Sequence, residues 1–279
     1  VALVPEGDTL KNIATTLSPL AGQRVEALEF PRAHADGSRV VGAHVARVES
    51  RGKNLLVTFS TGDVLHVHLK MTGVVHLYAF GERWRRGRAS AVVVLRVPGL
   101  EAVVFRAPVV RLLPGAAARR DGALGGLGPD LLADSFDEVE ALRRLRLDPT
   151  APLGVAVMNQ SAVAGIGNVY KSEVLFNLRL DPFEPVSCLP DETLRALLRH
   201  ARALLQRNTL GAALRASPVD AYRVTRTTRS GARAPLSVYG RLGEPCFDCG
   251  ATVAMRRQGE QRRSTYFCPT CQRVGAGAP

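Results

Sequence analysis

The sequence predicts a two-domain α+β protein: an N-terminal helix with an antiparallel β-sandwich or barrel-like sheet, then a helical domain that ends in a four-cysteine hairpin. Three observations point there. Residues 24–113 break into short β-rich runs. Residues 191–207 carry one apolar stripe at helical spacing. Cys246-Phe247-Asp248-Cys249 is followed, after eighteen residues, by Cys268-Pro269-Thr270-Cys271. A length of 279 residues suits about two compact domains. With 46% apolar and 22% charged residues, the composition argues against disorder, collagen and coiled coil.

Taken in order, Asp8 can cap a helix in which Leu10, Ile13, Ala14 and Leu17 recur at i, i+3, i+4 and i+7. Strands are expected at 54–59, where Val57 and Phe59 alternate around Thr58, and at 64–69 and 74–77. Ser60-Thr61-Gly62-Asp63 reads as the hairpin turn between the first two. The Gly- and Ala-rich stretch 114–128 reads as a linker. Ser135 with Glu138 forms a capping box for a helix at 136–145, and further helices are expected at 153–158, 168–176 and 191–207. The last of these is striped by Leu194, Leu197, Leu198, Ala201, Leu204 and Leu205. An arginine-rich loop without period occupies 216–235. The predicted divisions are therefore 1–113 for the sandwich, 114–128 for the linker, 129–240 for the helical domain, 241–274 for the hairpin and 275–279 for a tail.

Thirty-seven Lys and Arg against 25 Asp and Glu leave a net charge of +12 and a pI near 10.2. That balance suits a polyanion such as nucleic acid, although a GC-rich genome also inflates arginine. No apolar run approaches the ~20 residues of a membrane span, and residues 1–4 are too short for a signal peptide. A reducing, cytoplasmic setting is the expectation.

In that setting the cysteine frame reads as a four-thiolate zinc site of Cys246, Cys249, Cys268 and Cys271, with disulfide pairing as the alternative. Cys188 is left as a reduced thiol. Arg256, Arg257, Arg262 and Arg263 lie inside the frame. They either balance the thiolates or are presented by a metal-stapled hairpin to DNA. Ala164-Gly165-Ile166-Gly167 joins two helices, and Asn168 opens the second. It is either a plain glycine turn or a phosphate site of free N–H groups with an amide donor. In Val4-Pro5-Glu6-Gly7-Asp8, a proline with a free nitrogen is a secondary amine that forms an obligatorily cationic iminium with a sugar carbon, and Glu6 is a natural acid beside it. The simpler reading is helix-start chemistry. Lys53, at a turn into a strand, is on its own a solvated lysine.

Together these segments carry more. Pro5-Glu6-Gly7, Gly52-Lys53-Asn54-Leu55-Leu56, His68-Leu69-Lys70-Met71-Thr72-Gly73 and Leu127-Gly128-Pro129-Asp130 occur in that order. They precede Gly165-Ile166-Gly167-Asn168-Val169-Tyr170-Lys171-Ser172-Glu173, Val238-Tyr239-Gly240-Arg241 and the cysteine frame. The series resembles the formamidopyrimidine-DNA glycosylase / endonuclease VIII family along essentially the whole chain, and its opening is most similar to the actinobacterial endonuclease VIII branch.

The resemblance implies a helix–two-turns–helix domain, a zinc-finger hairpin with one structural zinc, and DNA held in a basic cleft. It implies a bifunctional DNA glycosylase and AP lyase of base-excision repair. Such an enzyme excises oxidised bases, pyrimidines in this branch, through a Schiff base and cuts the strand by β/δ-elimination. Pro5 would attack C1′, Glu6 would act as acid and base, and Lys53 would assist beside the lesion. Asn168, Arg263 and Lys171 would hold DNA, Met71 would fill the gap left by the flipped base, and Glu173 matches a family glutamate beside the nucleophile. The implied partner is duplex DNA with a damaged base or abasic site, met by a monomer on the bacterial nucleoid. Thr9 replaces a frequent family glutamate, two further gap-filling residues have no match near Phe105-Arg106-Ala107-Pro108-Val109, and 216–235 is too divergent to name a lesion. The alternatives are a non-catalytic binder of damaged DNA on the same fold, and a zinc-ribbon interaction module. As numbered, the Pro5 nitrogen is a tertiary amide that cannot attack a sugar. The expectation is a working protein that begins at Pro5.

Overall fold

The computed structural model describes residues 5–32, 35–210 and 236–273, so the 216–235 loop and the 274–279 tail lie outside the described residues. They divide into two compact units, the first ending at Gly126 and the second beginning at Leu127.

In the first unit α1 spans Gly7–Thr16. Its cap is not Asp8, as the sequence suggested, but Glu6, whose backbone is extended while Gly7 and Asp8 are already helical. The Glu6 carboxylate accepts the Thr9 N–H and the Thr9 hydroxyl accepts the Glu6 N–H at 3.4 Å, a reciprocal capping box. Eight strands follow: β1 (Ala27–Glu29), β2 (Val45–Arg51), β3 (Asn54–Phe59), β4 (Val64–His68), β5 (Val74–Ala79), β6 (Ala91–Val97), β7 (Leu100–Phe105) and β8 (Val109–Leu113). They form two antiparallel four-stranded sheets, ordered β1-β6-β7-β5 and β2-β3-β4-β8. Alternation decides the packing. Leu55, Val57 and Phe59 of one sheet and Leu95, Val97, Ala102 and Val104 of the other share a single core with Leu10 and Ile13 of α1. This is the expected sandwich. The turn at Ser60–Asp63 is present, with Gly62 at φ 86° and its N–H on Phe59 O.

Within 114–128, read from sequence as linker, stand two short helices, α2 (Gly115–Arg120) and α3 (Gly122–Gly125). Asp121 caps α3 and takes both Arg111 guanidinium nitrogens at 2.6 and 3.0 Å, clipping this stretch to β8.

The second unit contains α4 (Glu138–Leu145), α5 (Leu153–Ala156), α6 (Asn168–Asn177) and α7 (Asp191–Leu210). Asp137 rather than Ser135 caps α4, by accepting the Glu140 N–H at 2.9 Å. The α7 stripe is buried as expected: Leu194, Leu197, Leu198, Ala201, Leu204 and Leu205 pack with Tyr170, Val174 and Leu175 of α6. The chain closes on the hairpin β9 (Ala254–Gln258) and β10 (Arg263–Phe267), which packs on α6. Two strands alone are marginal in water, so this hairpin depends on what is anchored around it.

Candidate functional site

In the first unit Pro5 and Glu6 are both buried, Glu6 at 1% exposure, at the N-terminus of α1 beside the buried polar side chains of Asp8, Thr9 and Asn12. Burial of this many polar groups at one helix start is costly unless they are hydrogen-bonded, and here the capping box supplies part of that bonding. The positive end of the helix favours negative charge there, and Glu6 directly follows the Pro5 nitrogen in the chain.

Lys53 stands on the turn between β2 and β3, entered through Gly52 at φ 57°. Two histidines that sequence reasoning missed define its surroundings. The Asn54 amide donates to Arg51 O at 3.1 Å, and Asn54 Oδ1 lies 2.8 Å from His66 Nε2. Arg111 Nη2 lies 2.9 Å from His66 Nδ1. Arginine only donates, so His66 is neutral with its proton on Nε2. Burial, and then Arg111, pushes its pKa down to about 4. His68 is likewise held at about 4, by burial first and then by Lys70 and Lys53. Its Nδ1 accepts the Lys70 N–H at 3.1 Å. Lys53 and Lys70 therefore supply positive charge beside a neutral His68, a setting able to receive phosphate. The signal was present in Val64-Leu65-His66-Val67-His68, where both histidines fall opposite the core positions Leu65 and Val67.

Met71 follows on the β4–β5 turn and is 64% exposed. Gly73 is required there, because a Cβ would lie 2.8 Å from Leu69 O. The neighbouring Thr72 hydroxyl donates to Arg106 O at 3.0 Å, tying the Met71 turn to the end of β7.

In the second unit Gly165 (φ 114°) lets the chain turn into α6, braced by Gln160, whose Oε1 accepts the Gly165 N–H and whose amide donates to Ile166 O. Asn168 is the first residue of α6. Lys171 corrects an expectation. The sequence reading placed it on DNA, but it is 1% exposed and its ammonium reaches Asn168 Oδ1, Ser264 O and Thr265 Oγ1 at 3.2, 2.9 and 2.8 Å. A buried ammonium needs such partners. Here they turn it into a clamp that seats β10 on α6 and fixes which way the Asn168 amide faces. The relay continues as Thr265 donates to Gln258 Oε1 at 2.6 Å and Gln258 donates to Pro182 O at 2.9 Å.

Glu173 is fully buried and accepts the backbone N–H groups of Ser237, Val238 and Tyr239 at 2.7–2.9 Å. Arg241 then bonds Ser237 O, Pro245 O and Glu244, knitting the approach to the cysteines. On the hairpin, Arg257, Arg262 and Arg263 are exposed, and Gln261 Oε1 accepts from Arg263 Nε and Nη2. Arg256 differs: its guanidinium lies over the rings of Phe183 and Phe267.

The four cysteine sulfurs lie within 4.8 Å of one another, with Cys246–Cys271 at 3.9 Å and Cys249–Cys268 at 3.5 Å. A tetrahedral zinc with Zn–S of about 2.3 Å requires sulfurs about 3.8 Å apart. None of the four is in a disulfide, so the pairing alternative is set aside. The donor set fits a metal ion. Exposed Cys188 is a separate thiol.

Comparison with known proteins follows the same division. The model of the formamidopyrimidine-DNA glycosylase N-terminal domain matches residues 4–106, and that of the formamidopyrimidine-DNA glycosylase H2TH domain matches residues 127–215. A probable endonuclease 8 2 of Streptomyces coelicolor is 40% identical over 281 residues, covering 99% of this chain and 96% of its own length. A DNA-(apurinic or apyrimidinic site) lyase Nei2 of Mycolicibacterium smegmatis is 33% identical, covering 96% of this chain and 99% of its own. The fold is also that of the Lactococcus lactis formamidopyrimidine-DNA glycosylase solved with DNA containing an AP site (TM-score 0.77, 21% identity, 96% of this chain and 99% of the other). Among the described residues no helix is long and apolar enough to cross a membrane.

Proposed function

The chain belongs to the formamidopyrimidine-DNA glycosylase and endonuclease VIII family of DNA glycosylase/AP lyases, and on that premise we propose that it excises oxidised pyrimidines from duplex DNA through a Pro5 Schiff base. The observation that carries this reading is the buried Glu6 carboxylate set directly after Pro5 at the start of α1. With its nitrogen free as a secondary amine, Pro5 attacks C1′ of a flipped nucleotide, and the glycosidic electron pair leaves with the base. Glu6 delivers a proton to the ring oxygen, the sugar opens, and the iminium forms. A base takes a C2′ proton, its electron pair flows into the iminium to give an enamine, and the enamine expels the 3′ phosphate by breaking the C3′–O3′ bond. A second elimination releases the 5′ phosphate, and water then hydrolyses the iminium to restore Pro5.

Lys53, with His68 and Lys70 beside it, holds a lesion phosphate and favours the charge that develops there. Asn168 and Arg263 grip flanking phosphates, and exposed Met71 fills the vacated stack. One structural zinc on Cys246, Cys249, Cys268 and Cys271 would staple the hairpin that carries Arg263. Nicking of an abasic duplex tests the reading: Glu6→Gln should bind it as well as the parent and fail to cut. Undiminished cutting would remove Glu6 from the chemistry, and binding without cutting by the parent itself would leave a non-catalytic damage binder. A lesion panel tests the pyrimidine preference.

A further inference from the structure

Many arginines on the described helices and strands are matched to carboxylates: Arg39 with Asp63, Arg111 with Asp121, Arg146 with Asp191 and Arg199 with Glu138. The connection from β5 to β6, residues 80–90, departs from that habit. It presents Arg83, Arg85, Arg86 and Arg88, all exposed, and none has a carboxylate within ion-pair distance among the described residues. The nearby acids are engaged elsewhere. Glu82 accepts the Ala79 N–H at 3.2 Å, and Glu101 accepts from Trp84 Nε1 and Arg96 Nε at 2.6 Å each.

A charged loop is ordinarily just a solvated one, but this loop is built. Arg85 N donates to the Tyr78 hydroxyl at 3.1 Å, Phe80 N to Gly99 O, and Arg106 N to Ser90 O. Behind it Tyr78, Ala91, Val94, Val103 and Phe105 form a small second core on the outer face of the β1-β6-β7-β5 sheet. Trp84 packs edge-on against Phe105 at 5.8 Å, and Arg88 lies over the Trp84 ring at 4.6 Å. Phe80 stands at the margin, 64% exposed. This face is opposite the core that α1 helps to fill, so within its unit the patch is separate from Glu6.

We propose that the 80–90 loop is a second nucleic-acid contact surface, whose four guanidiniums grip duplex phosphates other than those held at the lesion. Guanidinium matches phosphate oxygens two at a time. Duplex DNA offers one negative charge every ~1.7 Å along its axis, which a run of arginines on an anchored loop backbone can meet. The choice of nucleic acid over an acidic protein rests on the family reading; the unpaired patch does not.

Trp84, the chain's one tryptophan, reports directly on the loop. With the full chain, titration of a long undamaged duplex should change Trp84 emission. Replacing Arg83, Arg85, Arg86 and Arg88 together by alanine should weaken that binding by roughly a thousandfold at about 0.1 M salt and reduce the salt slope by about three units. Single-turnover nicking of a short abasic duplex at saturating enzyme should stay as in the parent, and a matching thermal melt shows that the variant folds. Unchanged emission with unchanged salt slope overturns the proposal. A response to polyglutamate but not to DNA overturns it in favour of an acidic protein partner. Equal loss of nicking on the short duplex overturns it by making the loop part of the lesion grip. A parent that binds long DNA through this loop but never nicks abasic DNA defeats the enzymatic reading and leaves this inference standing.

Discussion

The start of α1 and the terminal hairpin both carry residues assigned here to DNA chemistry, yet they are held in different ways. At α1 the order is local: Glu6 and Thr9 cap each other three residues apart, over a helix whose Leu10 and Ile13 belong to the sandwich core. The hairpin has little core of its own. It is set by contacts from far along the chain, such as Lys171 to Ser264 and Thr265, and by four sulfurs gathered from two turns. The proposed reacting group thus rests on a locally held element, while the proposed phosphate-gripping Arg263 rests on one held by contacts distant in sequence. Damage to the hairpin should therefore abolish grip before fold, and damage at α1 should abolish chemistry before grip.

The severest break in that contrast is Cys268→Ser. A single missing thiolate should release the metal, detected as loss of one zinc per chain, and with it duplex binding, while the circular-dichroism signal of the sandwich persists. Full binding after zinc loss would show that the metal does not hold the hairpin. Next comes Lys171→Met, which removes charge-assisted hydrogen bonds to Asn168, Ser264 and Thr265 and should cost about 2–4 kcal/mol in urea unfolding. Abasic-site binding should fall with it. Wild-type stability and binding would mean that hairpin and α6 are seated by packing alone.

A pH series probes the first unit in a third way. His66, His68 and His76 all sit in the first unit, and burial foremost holds each at about 4. An unfolded imidazole titrates near ~6.5, so the unfolded chain takes up protons first as pH falls. Their stability contribution is intact above about 6.5 and declines toward pH ~4. The first unit's melting temperature should drop across that window, and a flat profile would contradict the neutral, internally bonded His66. The mildest change is Thr9→Ala, which removes one half of the capping box and should cost about 1 kcal/mol. A much larger loss would mean that α1 is less locally held than its contacts imply.

How much of this was legible in the sequence follows from the range of each interaction. The cysteine frame and the 54–59 strand were readable because spacing and alternation are local properties. Both caps were misplaced by two residues, Asp8 for Glu6 and Ser135 for Asp137, because several neighbouring side chains can each accept the same free N–H groups. Lys171 was expected to hold DNA since nothing near it in sequence announces that Ser264 and Thr265 will surround it. The short helices at 115–125 were hidden in a Gly- and Ala-rich stretch, where one long-range pair, Asp121 with Arg111, supplies the anchoring.

Borohydride trapping on an abasic duplex tests whether Pro5 is the nucleophile. The protein should first be shown by mass spectrometry to carry Pro5 with a free nitrogen. With Pro5 as nucleophile, a reduced covalent adduct should map to Pro5 and be absent from protein in which that nitrogen remains an amide. An adduct of equal yield from the amide form, or one that maps to Lys53, would contradict it.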